Sequence, residues 1–304
     1  MLMWVPGEWV AAGMTGLPDT EVEVVSVDDG APPPASVADV EFYVPSFSPT
    51  NATGEVMRLT KRLRVVQTLT AGVDELQPYM PDGAVLCNAR GAHDASTAEW
   101  VLAAMLGALR DLPLFAREQA ARRWTYQPTD QLAEKTVLIV GYGAIGAAVE
   151  QRLAGFEVDV LRVARGPRPG VAGLDELPAL LSAADVVVLL VPFTPETKGM
   201  ADAAFLSRMK DGALLVNGAR GAVADTAALT AEVASGRLRA ALDVTDPEPL
   251  PPSHELWTLP GVFITPHVAA STPVSMRRVV RLVREQAEAY LRGDPLRNVI
   301  TGTY

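Results

Sequence analysis

The sequence predicts an α/β protein of two domains, one of them a doubly wound parallel sheet with helices on both faces. Three observations lead there. Short apolar runs alternate with helix-like segments from Thr136 to His267. The stretch before Asn88 shows a similar but less regular alternation. A chain of 304 residues is long enough for about two domains. Strands that read as continuous apolar runs belong to sheets covered on both sides, which is how parallel sheets are built.

In chain order, residues 21–27, 40–44, 65–70 and 84–88 are the first strand candidates, and the proline-rich run 31–35 is a surface loop by composition. Residues 95–110 form a helix with almost no charge beyond Glu99. Such a helix must be buried, either between domains or between subunits. Residues 137–140 are an apolar strand ending at glycine, and 144–154 are the helix that follows, with Gly155 placed to cap it. Residues 157–163 alternate as a second strand. Helices over 174–182, 203–209 and 225–234 then interleave with strands over 185–191, 213–216 and 239–244, and 262–265 is the last strand. A long helix over 274–292 ends at Gly293. We expect a discontinuous substrate domain, residues 1–94 and 271–304, and a dinucleotide-binding domain, residues 95–270.

Bulk properties narrow the function. Apolar residues make up 49% and charged residues 20%, as in a globular protein. A net charge of −10 repels polyphosphate backbones, so nucleic acid is not an expected partner. The start has no basic leader followed by an apolar run, and no stretch of about 18 apolar residues suggests a membrane span. The single cysteine, Cys87, cannot form an intramolecular disulfide. These features suit a cytoplasmic protein. Cys87 lies within a strand and reads as an inert buried thiol. No His, Cys and Asp cluster has metal-ligand spacing, so no metal is expected.

The strand ends carry the chemistry. Gly141-Tyr142-Gly143-Ala144-Ile145-Gly146 has the G-x-G-x-x-G spacing between an apolar strand and a helix. Gly141 permits the tight turn, Gly143 lets backbone approach a pyrophosphate, and Gly146 allows close helix–strand packing. The amides of Ala144 and Ile145 open the helix that receives the phosphates. This is the fingerprint of a Rossmann dinucleotide site; a structural turn with incidental glycines is the alternative. NAD enzymes place an acid about 20 positions on, at the end of the second strand. Here that region reads Arg162-Val163-Ala164-Arg165-Gly166-Pro167-Arg168. Three arginines on an acidic protein point to the 2′-phosphate of NADP, unless they form only a solvated loop. Arg220, Glu248 and His267 also follow strands, where open α/β sheets hold ligands, and the chain has only three histidines.

Seven stretches place the chain near a known family: Thr70-Ala71-Gly72-Val73-Asp74, Thr97-Ala98-Glu99, the run from Val137 to Gly146, Asn217-Gly218-Ala219-Arg220-Gly221, Ala241-Leu242-Asp243-Val244, Glu248-Pro249-Leu250-Pro251 and Thr265-Pro266-His267. In content, order and separation the chain resembles the D-isomer-specific 2-hydroxyacid dehydrogenases over nearly its whole length. Its Arg165–Pro169 loop is most similar to that of the NADP-preferring glyoxylate/hydroxypyruvate reductases. The resemblance implies a Rossmann domain for the cofactor and a smaller flavodoxin-like α/β domain for the substrate, a homodimer, and reduction of a 2-oxo acid by NADP, with NAD possible. It implies that His267 donates a proton, Glu248 orients its ring and Arg220 binds the substrate carboxylate, joined by the backbone amides of Ala71 and Gly72. It implies that Asp243 holds the nicotinamide carboxamide and that Thr97, Pro192, Thr197, Gly218 and Ala219 line the cofactor.

The chain departs from the family at Leu190, where a His often precedes the strand-end proline. Pro45, Ser46 and Phe47 are candidates for lining the substrate side chain, His93 and His254 are loop residues, and Trp257 packs beside the site. A dehydrogenase of a larger 2-hydroxy acid, and a dinucleotide-sensing regulator on the same scaffold, remain alternatives.

Overall fold

The computed structural model describes residues 1–27 and 32–301. The chain forms two compact units, Met1–His93 with Pro273–Tyr304, and Asp94–Thr272. Of the proline-rich run expected as a loop, Ala31 lies outside the described residues, Pro32 to Pro34 are irregular, and Ala35–Ala38 is a 3-10 turn.

The first unit contains β1 (Leu2–Val5), α1 (Glu8–Ala11), β2 (Glu21–Val24), β3 (Phe42–Tyr43), α2 (Asn51–Leu59), β4 (Val65–Gln67) and β5 (Val85–Cys87). All five strands are parallel, in the order β2-β1-β3-β4-β5. That is the flavodoxin-like order. Successive side chains serve opposite faces. Met3, Val5 and Phe42 face one core, which the C-terminal helix covers through Val279, Leu282, Val283 and Ala287. Trp4, Tyr43 and Val66 face the other, covered by Val56 and Met57. The apolar spacing along that C-terminal helix is the i, i+3, i+4, i+8 stripe of an amphipathic helix, and Gly293 follows it with φ +72°. Three elements were not anticipated. β1 is only four residues long, α1 is a single turn, and α2 starts at a Thr50–Thr53 capping box without the usual acid.

The second unit contains α3 (Asp94–Leu109), α4 (Leu112–Ala120), β6 (Thr136–Val140), α5 (Ala144–Leu153), β7 (Asp159–Val163), α6 (Leu177–Ala183), β8 (Val186–Leu189), α7 (Ala203–Arg208), β9 (Leu214–Asn217), α8 (Thr226–Ala234), β10 (Arg239–Leu242) and β11 (Val262–Ile264); α9 (Pro273–Arg292) is the first unit's long helix. Its six parallel strands run β11-β10-β9-β8-β6-β7. One further residue, Ala172, bridges in parallel to Val163 on the outer side of β7. Counting Ala172 as a vestigial third strand restores the Rossmann order, with the turn bearing Arg165 and Arg168 in place of the usual crossover helix. The strand registers align the C-terminal ends: Val163, Val140, Leu189, Asn217, Leu242 and Ile264 lie side by side. Each site residue expected in this unit except Thr97 and Arg162 follows one of those ends.

Two local expectations are corrected. The apolar helix α3 buries Val101, Met105 and Leu109 on its own sheet, against Val137, Val188 and Val216. A doubly wound sheet needs cover on that face, so the burial needs neither a second domain nor a subunit. Gly155 does not cap α5 in the left-handed region; Glu157 takes positive φ (+56°) instead, as the chain turns into β7. Among the described residues no helix is long and apolar enough to cross a membrane, and no group of three or more His, Cys, Asp or Glu gathers as a metal site.

Candidate active site

The loop after β6 is shaped for a dinucleotide. Gly141 has φ +101°, and a Cβ there would stand 2.5 Å from the Leu190 carbonyl carbon and 2.6 Å from the Val191 nitrogen. Only glycine fits. A Cβ on Gly146 would lie 3.0 Å from the Gly141 oxygen and 3.2 Å from Ile139 Cγ2, so helix and strand meet closely there. A Cβ on Gly143 would meet nothing within 4 Å. That face of the loop is open. The first-turn amides of α5 have no carbonyl partner within the helix and carry its positive end. Cradle, open face and donors together fit a pyrophosphate.

Across the same edge lies a proton-handling pair. His267 Nδ1 is 2.6 Å from Glu248 Oε1, with the two side chains 46% and 42% exposed. The Glu248 hydrogen bond raises the His267 pKa above 6.5, outweighing burial, which lowers it; the nearby positive charge of Arg220 also lowers it. For Glu248, burial would raise the pKa, but the hydrogen bond and charge of His267, a Thr245 backbone bond and Arg220 together hold it below the usual carboxylate value. The bond between the two favours the charged form of each, and a guanidinium lies close enough to act on both.

The backbone around the pair is tightly determined. His267 sits at φ +53°, uncommon for a non-glycine residue. Asp243, 2% exposed, holds it there. Its carboxylate accepts from Thr265 Oγ1 at 2.6 Å, from the Val268 amide at 2.9 Å and from the Ala269 amide at 2.8 Å, while its carbonyl accepts the His267 amide at 2.7 Å. The carboxylate for which the resemblance implies a nicotinamide contact is here the staple of the His267 loop. Trp100 Nε1 donates to Thr265 Oγ1 at 2.9 Å and extends the staple into α3. On the Arg220 side, Asn217 pins the loop from both ends: its Nδ2 donates to the Arg220 carbonyl at 3.0 Å and its Oδ1 accepts the Ala219 amide at 3.0 Å. A Cβ on Gly221 would collide with the Thr245 carbonyl, so glycine lets the Arg220 loop lie directly against the loop that leads to Glu248. Asn217, Gly221 and Trp100 had no assigned task in the sequence.

The remaining expected residues are placed as follows. Thr97 is buried in the first turns of α3. Thr197 Oγ1 donates to the Pro192 carbonyl at 2.6 Å and accepts the Thr194 amide at 2.8 Å, closing the loop after β8. A Cβ on Gly218 would touch the Trp100 ring at 3.4 Å. Arg165 and Arg168 are exposed on the loop after β7. Arg162 is held differently. It lies within β7 and binds Glu150 of α5, through Nε to Oε2 at 2.7 Å and through Nη2 to Oε1. In the first unit, side chains hold the turn at Ala71 and Gly72: Asn88 Nδ2 donates to the Ala71 carbonyl and Thr70 Oγ1 to that of Gly72, both at 2.7 Å. Phe47 stacks on Trp9, ring centroids 5.8 Å apart, and meets His93 edge-on. His93 is buried, with Nε2 2.7 Å from the Leu69 carbonyl. His254 caps a 3-10 turn, and Trp257 is half exposed with its Nε1 on the Pro251 carbonyl.

Residues 102–269 match the family model described as D-isomer specific 2-hydroxyacid dehydrogenase, NAD binding domain. The chain belongs to that family. The D-isomer-specific 2-hydroxyacid dehydrogenase fold extends over the whole molecule: a structure from Xanthobacter autotrophicus Py2, solved with NADPH and MES, superimposes with a TM-score of 0.83 at 30% identity, over 99% of this chain and 97% of that one. A glyoxylate reductase/hydroxypyruvate reductase of Mus musculus is 33% identical over 97% of this chain and 96% of its own length. A D-3-phosphoglycerate dehydrogenase of Archaeoglobus fulgidus is 34% identical over 83% of this chain, which spans 50% of that protein's length.

Proposed function

We propose that this 2-hydroxyacid dehydrogenase reduces a small 2-oxo acid, of the glyoxylate or hydroxypyruvate class, to the D-2-hydroxy acid with NADPH. The observation that carries the reading is the His267–Glu248 pair with the charge of Arg220 beside it. The mouse relative's name supports the substrate class, and the NADPH bound in the Xanthobacter structure supports the cofactor.

When bound, the nicotinamide would supply the hydride, leaving negative charge to be met at the carbonyl oxygen of the substrate. His267 meets that charge. Its Nδ1 is engaged by Glu248, so Nε2 is the atom that gives up a proton. A positioned general acid contributes about 10²–10⁴-fold. Arg220 takes the substrate carboxylate, a planar anion suited to a planar fork of donors. In the first unit the turn at Ala71 and Gly72 is the candidate for a further carboxylate contact. The loop from Gly141 to Gly146 holds the pyrophosphate, and Thr97, Pro192, Thr197, Gly218, Ala219 and Asp243 lie along the cofactor. Arg165 and Arg168 take the 2′-phosphate. Arg162 is bound to Glu150 and is left out of that contact. Steady-state assays of a panel of 2-oxo acids, each with NADPH and NADH, test the reading. Highest kcat/KM for glyoxylate or hydroxypyruvate with NADPH supports it. Equal kcat/KM for the two cofactors, or a clear optimum with a bulky apolar 2-oxo acid, overturns it.

The same reading includes a homodimer. The arm that follows α3 exposes Leu112, Trp124 and Tyr126, at 56%, 99% and 87%. Large apolar groups left exposed are candidates for an association surface. Sedimentation of the protein as a dimer supports this, and a monomer at micromolar concentration refutes it.

A further inference from the structure

We infer that Glu150, on α5, is a specificity-determining positioning residue: by tying Tyr142 and Arg162 into one cluster, it presents Arg168 to the 2′-phosphate of NADPH. The inference rests on the NADPH reading above.

Arg162, expected to read the phosphate, is paired with Glu150. Its guanidinium lies along the Glu150 carboxylate and engages both oxygens, with Nη1 on the Val160 carbonyl at 3.2 Å. Arg162 and Val160 share the β7 face that turns toward α5, since alternate residues of a strand share a side. The ion pair therefore clamps the helix that begins at the pyrophosphate cradle to the strand that ends at the arginine loop. The same Glu150 Oε2 accepts the Tyr142 hydroxyl at 2.5 Å. Tyr142 belongs to the glycine loop itself, between Gly141 and Gly143.

Arg168 rests on that tyrosine. Its Cζ is 5.5 Å from the Tyr142 ring centroid, and its Nη2 donates to the Tyr142 carbonyl at 2.6 Å. Arg162 stands near the same ring, its Cζ 5.8 Å from the centroid. Two bare guanidiniums this close to one ring repel each other, and one ring cannot compensate both. Glu150 neutralises Arg162. Arg168 can then remain at the ring as an exposed cation bonded to the glycine loop. Glu150 touches no cofactor in this account; it acts through Tyr142 and Arg168.

Calorimetric titration of the purified protein with NADP+ and NAD+ tests this without turnover. The wild type binds NADP+ more tightly, and Arg168→Ala abolishes the preference. Glu150→Ala weakens NADP+ binding about five- to tenfold, part of a charge-assisted hydrogen bond, while NAD+ binding moves less than about twofold. Glu150→Gln, which still accepts from Tyr142, recovers part of the loss and guards against a simple folding defect. Equal weakening for both cofactors in either Glu150 variant means an ordinary structural clamp and overturns the inference. So does tighter NADP+ binding, which would mean that freed Arg162 reads the phosphate. In both cases loss of preference in Arg168→Ala leaves the NADPH reading standing. A wild type with no preference overturns the NADPH reading and this inference with it.

Discussion

Replacing Glu248 by glutamine removes the negative charge that raises the His267 pKa while keeping the size of the side chain. The His267–Glu248 bond is 2.6 Å long and charge-assisted. Such a bond contributes about 1.5–3 kcal/mol when shielded from water. Both side chains are nearly half exposed, at 46% and 42%, so solvent screening reduces this to about 1 kcal/mol. That is roughly a fivefold change in the protonated-to-neutral ratio of the imidazole. The sign follows from what raises the pKa. Glu248 raises it above 6.5, whereas burial and Arg220 lower it. Proton donation needs the imidazolium, so kcat for reduction is flat at low pH and falls as pH rises through the raised His267 pKa. In Glu248→Gln the raising influence is gone and the lowering ones remain. The falling limb must therefore move to lower pH, with kcat on that limb reduced roughly fivefold or more. The assay is kcat against pH at saturating NADPH and 2-oxo acid, for wild type and variant. A falling limb at the same pH in both proteins would refute the claim that Glu248 raises the pKa of His267 and that His267 is the proton donor.

Three further perturbations address other parts of the site. His267→Gln should lower kcat about 10²–10⁴-fold with the Kd for NADP+ unchanged in calorimetry, and near-wild-type turnover would sink the mechanism. Gly143→Ala should fold with a Tm close to wild type, because its Cβ meets nothing within 4 Å, yet lose dinucleotide binding at least tenfold; Gly141→Ala, whose Cβ would meet the Leu190–Val191 backbone at 2.5–2.6 Å, should lower the Tm by several degrees. Normal NADP+ binding by Gly143→Ala would show that the open face is not the pyrophosphate site. Cys87 is buried and its thiol is pushed up to about 11 by burial, outweighing a Gln286 hydrogen bond. It should resist a thiol reagent at pH 8 in the native protein and react fully in denaturant, and rapid native labelling would contradict that burial.

The second unit was legible because its signals are local. Five of its six strands carry a continuous apolar run, since both faces of the sheet are covered, and β7 at the outer side alternates instead. The glycine spacing could be read for the same reason: each glycine's need is set within a few residues. The first unit was harder. β1 is four residues long, too short for periodicity to register, and it is held between β2 and β3. The strand-end residues Arg220, Glu248 and His267 could be singled out from the sequence, but the groups that hold them could not. Asp243 and Thr265 are 22 positions apart, and Trp100 and Thr265 are 165 apart.

Arg162 shows where the limit lay. Counting arginines at a strand end treats them as equivalent, but Arg162 precedes the buried Val163 and shares the face of Val160, which is turned toward a helix. That direction was available from the alternation over 157–163. What alternation could not supply was the acid waiting there, Glu150, twelve residues earlier on α5. A basic residue inside a half-buried strand calls for an anion on the facing helix before it calls for a ligand, because the protein must satisfy that charge whether or not cofactor is bound. By the same reasoning Arg165 and Arg168, beyond the strand and exposed, are the arginines left to meet an anion from solution.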